Sequence, residues 1–404
     1  MRFSAESRDE ARRRARSRRM ALLSKPYPID RMRHAEIRSI FVTAVVLLVV
    51  VVAIYFLPSN KTNARLQNAS SLSGFRIDRL TPITVSATNA PTISCVLATH
   101  CVGSDGAKGG WISDTGPNGT IHVRPTSGWT QPLRGISCPS LETCWATTNS
   151  ETTPRRAGVV TSSDGGRTWH DFTKIPSALS LSALACMTLT SCVVLGTSTS
   201  SLVGEIWTFS EGRVIASTTI GRISAEVLSC SSARHCVAGV GQDVVGHYFF
   251  EVSSNGGISW SADDLGKDWI PESLSCPSTL LCVAGGNGDV LANSARPHGL
   301  ARIEWSADGG FSWTPVQFPL RQPVVGALSQ IACTSVIHCT AYALRGSNAF
   351  ALLTSSGAPW TTWRVFVTAT NPGRVALACN DRCALAVFRG ASPGAGAYLL
   401  HGWR

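Results

Sequence analysis

Residues 136–148 read ISCPSLETCWATT, and this stretch decides the fold. A short apolar run ends at a cysteine, a polar turn follows, and a second cysteine opens another run of small and apolar residues. Two strands joined by a tight turn form a β-hairpin. Cysteines that face each other near the end of a hairpin can lie at the Cα separation that a disulfide needs. The stretch therefore predicts a hairpin closed by a disulfide.

The same pattern recurs along the 404 residues, and the first cysteines of successive pairs lie 43, 48, 44, 46, 57 and 46 residues apart. Units of this length match a four-stranded propeller blade. We therefore predict an all-β fold, a seven-bladed β-propeller with one intra-blade disulfide per blade. The predicted pairs are Cys95–Cys101, Cys138–Cys144, Cys186–Cys192, Cys230–Cys236, Cys276–Cys282, Cys333–Cys339 and Cys379–Cys383.

A second motif follows the hairpin in three units: SSDGGRTW at 162–169, SSNGGISW at 253–260 and SADGGFSW at 306–313. Asp or Asn at the start of a turn accepts backbone N–H groups, glycine permits positive φ, and tryptophan covers the hairpin with a large apolar surface. We therefore assign these residues a structural role. They are Ser162, Asp164, Gly166, Trp169, Ser253, Asn255, Gly257, Trp260, Ser306, Asp308, Gly310 and Trp313.

This motif resembles the Asp-box, or BNR, repeat of the sialidase-like propellers. With the preceding apolar strand it is also similar to exported propellers of the photosystem II assembly-factor type. The resemblance covers residues 75–404 and implies the fold of an exported bacterial propeller. It implies no catalysis, because Asp-boxes occur in enzymes and non-enzymes alike.

An apolar run, IFVTAVVLLVVVVAIYFL at 40–57, contains no charged residue and spans roughly 27 Å as a helix, enough to cross a bilayer. A cleaved signal peptide is the alternative. The long basic flank and the absence of a clear cleavage site favour a transmembrane helix that serves as an uncleaved signal-anchor. The domains expected are therefore a cytoplasmic tail (1–39), the helix, a flexible linker (58–74) and an extracytoplasmic propeller (75–404).

Charge and cysteine content agree with a single-pass protein of the cell membrane. Residues 1–39 hold 12 Lys and Arg against 5 Asp and Glu, which predicts a cytoplasmic N-terminus. All 14 cysteines lie beyond the apolar run, as expected of a domain exported to an oxidising compartment. The remainder has no basic stripe interleaved with aromatic residues, so we expect no nucleic-acid partner.

Each blade is predicted to run from an inner strand A, which carries the first cysteine, to an outer strand D. For the second blade we place the strands at 134–138, 144–149, 157–162 and 168–173. Residues 81–87 are predicted to supply the outer strand of the last blade, which leaves no open sheet edge.

Because strands alternate in direction, the A–B and C–D turns share one face, and the B–C and D–A connections form the other. We expect this second face to bind an envelope protein or a glycan, because function on a rigid scaffold tends to lie on irregular loops. An assembly factor for a membrane complex differs only in its partner. The candidate binding residues are Glu151, Arg155, Arg156, Asp243, His247, Lys267, Asp268, Trp269, Arg296 and His298.

The alternative function is a carbohydrate-active hydrolase of the Asp-box group. Phe75-Arg76-Ile77-Asp78 is similar to the sialidase segment that carries a catalytic arginine, but it lacks the proline. Glycosidases need paired acidic groups in one cleft, and the acidic residues here are scattered. A zinc site at His100, His235 and His338, each beside a cysteine, is disfavoured because neighbouring residues of a strand point to opposite faces. We therefore expect no catalytic residue, no metal and no cofactor.

Overall fold

A computed structural model describes the chain from residue 76 onward, with gaps, and consists of strands and turns. The described residues are 76–80, 92–97, 100–104, 110–115, 121–150, 156–200, 202–220, 225–240, 248–267, 269–288, 301–316, 328–345, 349–355, 363–368, 374–380, 383–388 and 397–403. By internal contacts, the described residues all belong to one compact unit.

Seven four-stranded antiparallel sheets make up the described structure, and we number them I to VII. Six sheets contain four strands that are consecutive in the chain. Sheet I contains β2 (Thr92–Leu97), β3 (His100–Ser104), β4 (Trp111–Thr115) and β5 (Ile121–Pro125). Sheet II contains β6 (Leu133–Ser137), β7 (Cys144–Ser150), β8 (Arg156–Ser162) and β9 (His170–Lys174). Sheet III contains β10 (Ala178–Cys186), β11 (Ser191–Ser198), β12 (Gly204–Ser210) and β13 (Arg213–Thr219).

The next three sheets have the same order, although the last strand of sheet V is only two residues long. Sheet IV contains β14 (Ala225–Cys230), β15 (Cys236–Val240), β16 (Tyr248–Ser253) and β17 (Ser261–Lys267). Sheet V contains β18 (Trp269–Ser275), β19 (Cys282–Gly288), β20 (Ala301–Ser306) and β21 (Thr314–Pro315). Sheet VI contains β22 (Leu328–Ser335), β23 (His338–Arg345), β24 (Ala349–Ser355) and β25 (Trp363–Thr368).

Sheet VII joins the two ends of the described chain. Its strands are β26 (Arg374–Cys379), β27 (Cys383–Phe388), β28 (Ala397–Trp403) and, at the outer edge, β1 (Arg76–Leu80). The N-terminal strand pairs with β28, from Arg76 opposite His401 to Leu80 opposite Ala397. The segment predicted for this place, 81–87, lies outside the described residues. The outer position of sheet VII is held by β1, the strand just before that segment.

The first strands of consecutive sheets pack against one another, and β26 packs against β2. A repeated hydrogen bond links them: the N–H of a first cysteine donates to the serine before the first cysteine of the preceding sheet. The bonds are Cys138 to Ser94 (3.0 Å), Cys186 to Ser137 (3.0 Å), Cys276 to Ser229 (2.9 Å) and Cys333 to Ser275 (3.1 Å). The inner strands of these sheets are therefore held in one register around the propeller.

All seven predicted disulfides form, one in each sheet, and no cysteine is free. In five sheets the strand register places the two cysteines directly opposite each other. The strands predicted for the second blade, now sheet II, are also confirmed to within two residues. The cysteine spacing therefore identified the hairpins correctly.

The prediction of seven equivalent blades is wrong for the described residues, and the predicted transmembrane helix falls outside them. The buried core of the described residues consists of five clusters, and each cluster lies between two consecutive sheets from I–II to V–VI. None of the described residues belongs to a helix long and apolar enough to cross a membrane, and the predicted span 40–57 lies outside them.

Candidate interaction faces

The A–B and C–D turns meet at one end of each sheet, which we call the turn face. In sheet III, Cys186 lies opposite Cys192, which lies opposite Phe209 near the C–D turn. A backbone hydrogen bond joins the two turns of one sheet in four cases: Gly165 N to Glu142 O (2.6 Å), Glu211 N to Thr190 O (2.9 Å), Gly256 N to Arg234 O (2.8 Å) and Gly309 N to Leu280 O (2.7 Å). Disulfide and hydrogen bond together make this end of these sheets rigid. The opposite end, with the B–C and D–A connections, is the loop face.

The C–D turn of sheet II is closed by Ser162 and Asp164. The Ser162 hydroxyl donates to Asp164 Oδ1 (2.7 Å) and accepts the N–H of Gly166 (2.8 Å). Asp164 also accepts the backbone N–H (2.9 Å) and the hydroxyl (2.6 Å) of Thr168. Burial raises the pKa of Asp164, but the hydrogen bonds from Thr168 and Ser162 outweigh it, so the pKa lies below its usual value. The carboxylate is held ionised to organise a turn.

The turns of sheets IV and V repeat this arrangement. Asn255 replaces the aspartate in sheet IV: its Oδ1 accepts the N–H of Ser259 (3.0 Å), and its amide donates to the Ser259 hydroxyl (2.7 Å). In sheet V the Asp308 carboxylate accepts both the N–H and the hydroxyl of Ser312, and its pKa is lowered in the same way as that of Asp164. Trp313 donates its ring N–H to Gly310 O (2.9 Å) and stacks on Phe250. The hydrogen bonds of these side chains stabilise the turns.

The asparagine in sheet IV leads to a prediction about Asp308. Asp308→Asn should unfold at nearly the wild-type denaturant concentration at pH 7, because an amide supplies the same acceptor, whereas Asp308→Ala should lose about 1–3 kcal/mol of stability. The native pKa is lowered, so the ionised carboxylate stabilises the fold above pH 3.8 and this contribution disappears as the pH falls through the lower native pKa. Denaturant unfolding from pH 7 to pH 2.5 checks this. A pH dependence in Asp308→Asn equal to that of the wild type would contradict it.

The glycines of these turns contact the preceding sheet. An added Cβ would lie 2.7 Å from Val102 at Gly166, 2.7 Å from Val193 at Gly257 and 2.9 Å from Val237 at Gly310. Each valine directly follows the second cysteine of its own sheet. The sequence interpretation treated these glycines as a local turn requirement only. The repeated Cys-Val dipeptide was the signal for this contact between sheets.

Two of the histidines weighed as zinc ligands lie at the same junctions. His100 in sheet I contacts Asp114 (2.9 Å), and its ring lies against Gly165 of sheet II. His235 in sheet IV contacts Gly309 O of sheet V (2.8 Å). Within the part of the chain that the structure describes, no group of three or more His, Cys, Asp or Glu could hold a metal ion. These histidines join neighbouring sheets.

The turn face carries most of the exposed apolar surface, a feature that the sequence interpretation missed. Of the eleven large apolar side chains that are exposed in the described residues, seven lie in A–B or C–D turns, and an eighth, Leu97, ends β2 next to the A–B turn of sheet I. The seven turn residues are Leu141, Leu189, Ile258, Leu280, Phe311, Val336 and Ile337. The signal was the apolar residue that recurs near the middle of the C-x5-C loops.

The predicted loop face is described only in part. Three of the ten candidate residues have a described backbone, and all three lie in strands rather than in loops: Arg156 begins β8, Lys267 ends β17 and Trp269 begins β18. Each is nonetheless at the end of its sheet that faces away from the disulfide. The other seven lie outside the described residues: Glu151, Arg155, Asp243, His247, Asp268, Arg296 and His298.

The two tyrosines whose side chains the structure describes are poorly placed for a sialidase-type nucleophile. Tyr342 is in β23 with 1% of its surface exposed, and burial raises the pKa of its phenol above the ordinary value. Tyr248 is also buried, at the start of β16. A nucleophile must reach its substrate and be activated, and neither residue meets that need.

The described sheets have four strands each and pack through their inner strands, and the first and last described strands pair in one sheet. This arrangement defines the protein as a β-propeller. Among solved structures the chain is similar to YCF48 bound to D1 peptide (TM-score 0.52, 15% identity, 82% of this chain and 95% of that one). It is also similar to YCF48 from Cyanidioschyzon merolae (0.52, 13%, 81% and 98%) and to the WD40 β-propeller domain of Doa1 (0.52, 7%, 81% and 97%). No protein-family model matches the sequence, and no curated protein matches it. At these low sequence identities, structural similarity shows that the folds are alike.

Proposed function

We propose that this chain is a membrane-attached, extracytoplasmic propeller that binds a protein or glycan partner through its loop face. The observation that carries the proposal is the rigid, disulfide-closed turn face, which fixes the sheets at one end and leaves the connections at the other end to vary. Rigid scaffolds commonly place binding residues on such connections. The similar YCF48 structure is bound to D1 peptide, which supports a protein partner ahead of a glycan.

Location outside the cytoplasm is supported by the disulfides. All fourteen cysteines are paired, and disulfides persist in oxidising compartments. Attachment to the membrane is supported by the uncharged apolar run at 40–57 and by the basic residues before it. The propeller then lies on the far side of the membrane from the basic tail.

A binding role is favoured over hydrolysis by the ionisable groups of the described residues. The two carboxylates with a shifted pKa, Asp164 and Asp308, are shifted downward and serve turns. A general acid of a glycosidase needs a raised pKa and a second carboxyl group nearby. Tyr342 is buried as described above.

The test is capture of partners by the full-length chain reconstituted in lipid nanodiscs and incubated with solubilised envelope from its source. Reversing the charge of the loop pair (Arg155→Glu with Arg156→Glu) should reduce capture at least about tenfold, because charge reversal at an interface costs several kcal/mol. The matched control is Arg213→Glu, an exposed arginine at the turn-face end of β13. Equal capture by both variants would overturn the loop-face assignment.

A further inference from the structure

The direction of β1 places the start of the described chain at the turn face. Arg76 lies opposite His401, which lies opposite Ala384, next to Cys383 of the disulfide. Leu80, at the other end of the strand, is in the row of Phe388, far from the disulfide. The chain therefore enters the propeller at the end where the disulfides lie.

The apolar run ends only 18 residues before this entry point, since residues 58–75 separate Leu57 from Arg76. The composition of 58–74 predicts a flexible linker, and a flexible chain of that length has an end-to-end distance of about 23 Å. If residues 40–57 are in a bilayer, as the proposed function requires, the first surface of the propeller that the bilayer can meet is the turn face.

The apolar side chains of the turn face suit a lipid surface better than a protein pocket. They stand singly on separate turns, one or two per turn, around several sheets, instead of forming one cavity; Leu280 is 65% exposed and Ile258 is 55% exposed. Protein hot spots cluster in packed central pockets, whereas shallow membrane contacts use separate apolar groups with basic residues between them. Arg234 is exposed in the A–B turn of sheet IV, and Arg167 takes the position that Ile258 and Phe311 hold in other sheets.

The turns also need little reorganisation to bind. Leu141, Leu189 and Leu280 lie between the two cysteines of a disulfide, and their turns are joined by backbone hydrogen bonds to the neighbouring C–D turns. A side chain held in place loses less conformational freedom on contact than one on a loose loop.

We propose that the turn face lies against the membrane and inserts these apolar side chains at the boundary of headgroups and acyl chains, which directs the loop face away from the bilayer. The inference rests on the membrane attachment in the proposed function.

The test is photolabelling of the full chain in phosphatidylcholine–phosphatidylglycerol vesicles that contain a diazirine phospholipid, with labelled residues located by tandem mass spectrometry. We expect label at Leu189, Leu280 and Ile337, and none at Leu202, which is 63% exposed but lies in the B–C turn of sheet III. The wild-type map is decisive without any variant. Label confined to residues 40–57, or equal label at Leu202, would overturn the inference.

A variant pair checks that the side chains themselves make the contact. Leu189→Ser, Leu280→Ser and Ile337→Ser together should lower the label in the A–B turns at least about fivefold, because the apolar groups that enter the lipid are gone. Leu202→Ser with Ile215→Ser, which changes exposed residues outside the A–B and C–D turns, should leave the map unchanged. An unchanged map in the triple variant would contradict the proposal, as would crosslinks from the same turns to a protein in native membranes.

Carbonate extraction separates this inference from the proposed function. Release of the chain from vesicles at high pH would show that membrane attachment itself is wrong, and both proposals would fall. Retention of the chain without label in the turns would overturn the orientation only, and the proposed attachment would stand.

Discussion

Gly166→Ala should lower the free energy of unfolding by about 2–4 kcal/mol, because it combines positive-φ strain with a clash in a packed junction. Gly166 has φ of +88°, and an added Cβ would lie 2.7 Å from one methyl of Val102 and 2.8 Å from the other. Equilibrium denaturant unfolding without reductant measures the change.

The matched control for this substitution is Gly212→Ala in sheet III. Gly212 has φ of +75°, but nothing lies within 4 Å of an added Cβ, so only the backbone strain of about 1–2 kcal/mol should appear. Combining Gly166→Ala with Val102→Ala should recover part of the loss, because the clashing methyls are removed. Equal losses at Gly166 and Gly212 would contradict the contact between the sheets.

Arg302→Met should cost about 3 kcal/mol, because it withdraws a cation from a buried carboxylate. Glu304 in β20 has no exposed surface, and Arg302 reaches its Oε1 with Nε at 2.8 Å and with Nη2 at 2.6 Å. Adding Glu304→Gln should restore most of the stability, because the neutral amide is less costly to bury. Denaturant unfolding of the three variants gives the coupling energy.

An exposed ion pair supplies the comparison. Arg124 contacts Asp114 at 2.9 Å with 61% of its side chain exposed, so Arg124→Met should cost less than about 1 kcal/mol. If Arg302→Met lowered the stability no more than Arg124→Met does, the buried carboxylate would not depend on the arginine.

The hairpins, their disulfides and the strands of sheet II could be predicted because each depends on neighbours in the chain. The alternation of apolar residues and the six-residue separation of most cysteine pairs determine them locally. The pairing of β1 with β28 depends on contacts between the two ends of the described chain, which the alternation in 81–87 could not reveal. The five packed cores depend on residues from two sheets at once, such as Trp145 in β7 with Leu181 in β10.

The candidate site was harder to predict than the fold. The loop-face residues were chosen for charge and irregular sequence, but Lys267 and Trp269 lie in strands that leave only Asp268 between them. The turn face was interpreted as purely structural, because its cysteines and glycines explained it. The exposed leucines between those cysteines were visible in the repeat, but whether an apolar turn residue is buried depends on the neighbouring sheet, which a single repeat does not contain.

The short separation within each disulfide has a consequence for biogenesis. In the order of synthesis every cysteine bonds to its immediate neighbour, six residues away in six pairs and four in the last. The loop-closure cost rises with length, so a newly synthesised thiol meets its native partner at higher effective concentration than any thiol of another repeat. An oxidase that joined cysteines in order of emergence would therefore produce the complete native set, without an isomerase to correct it.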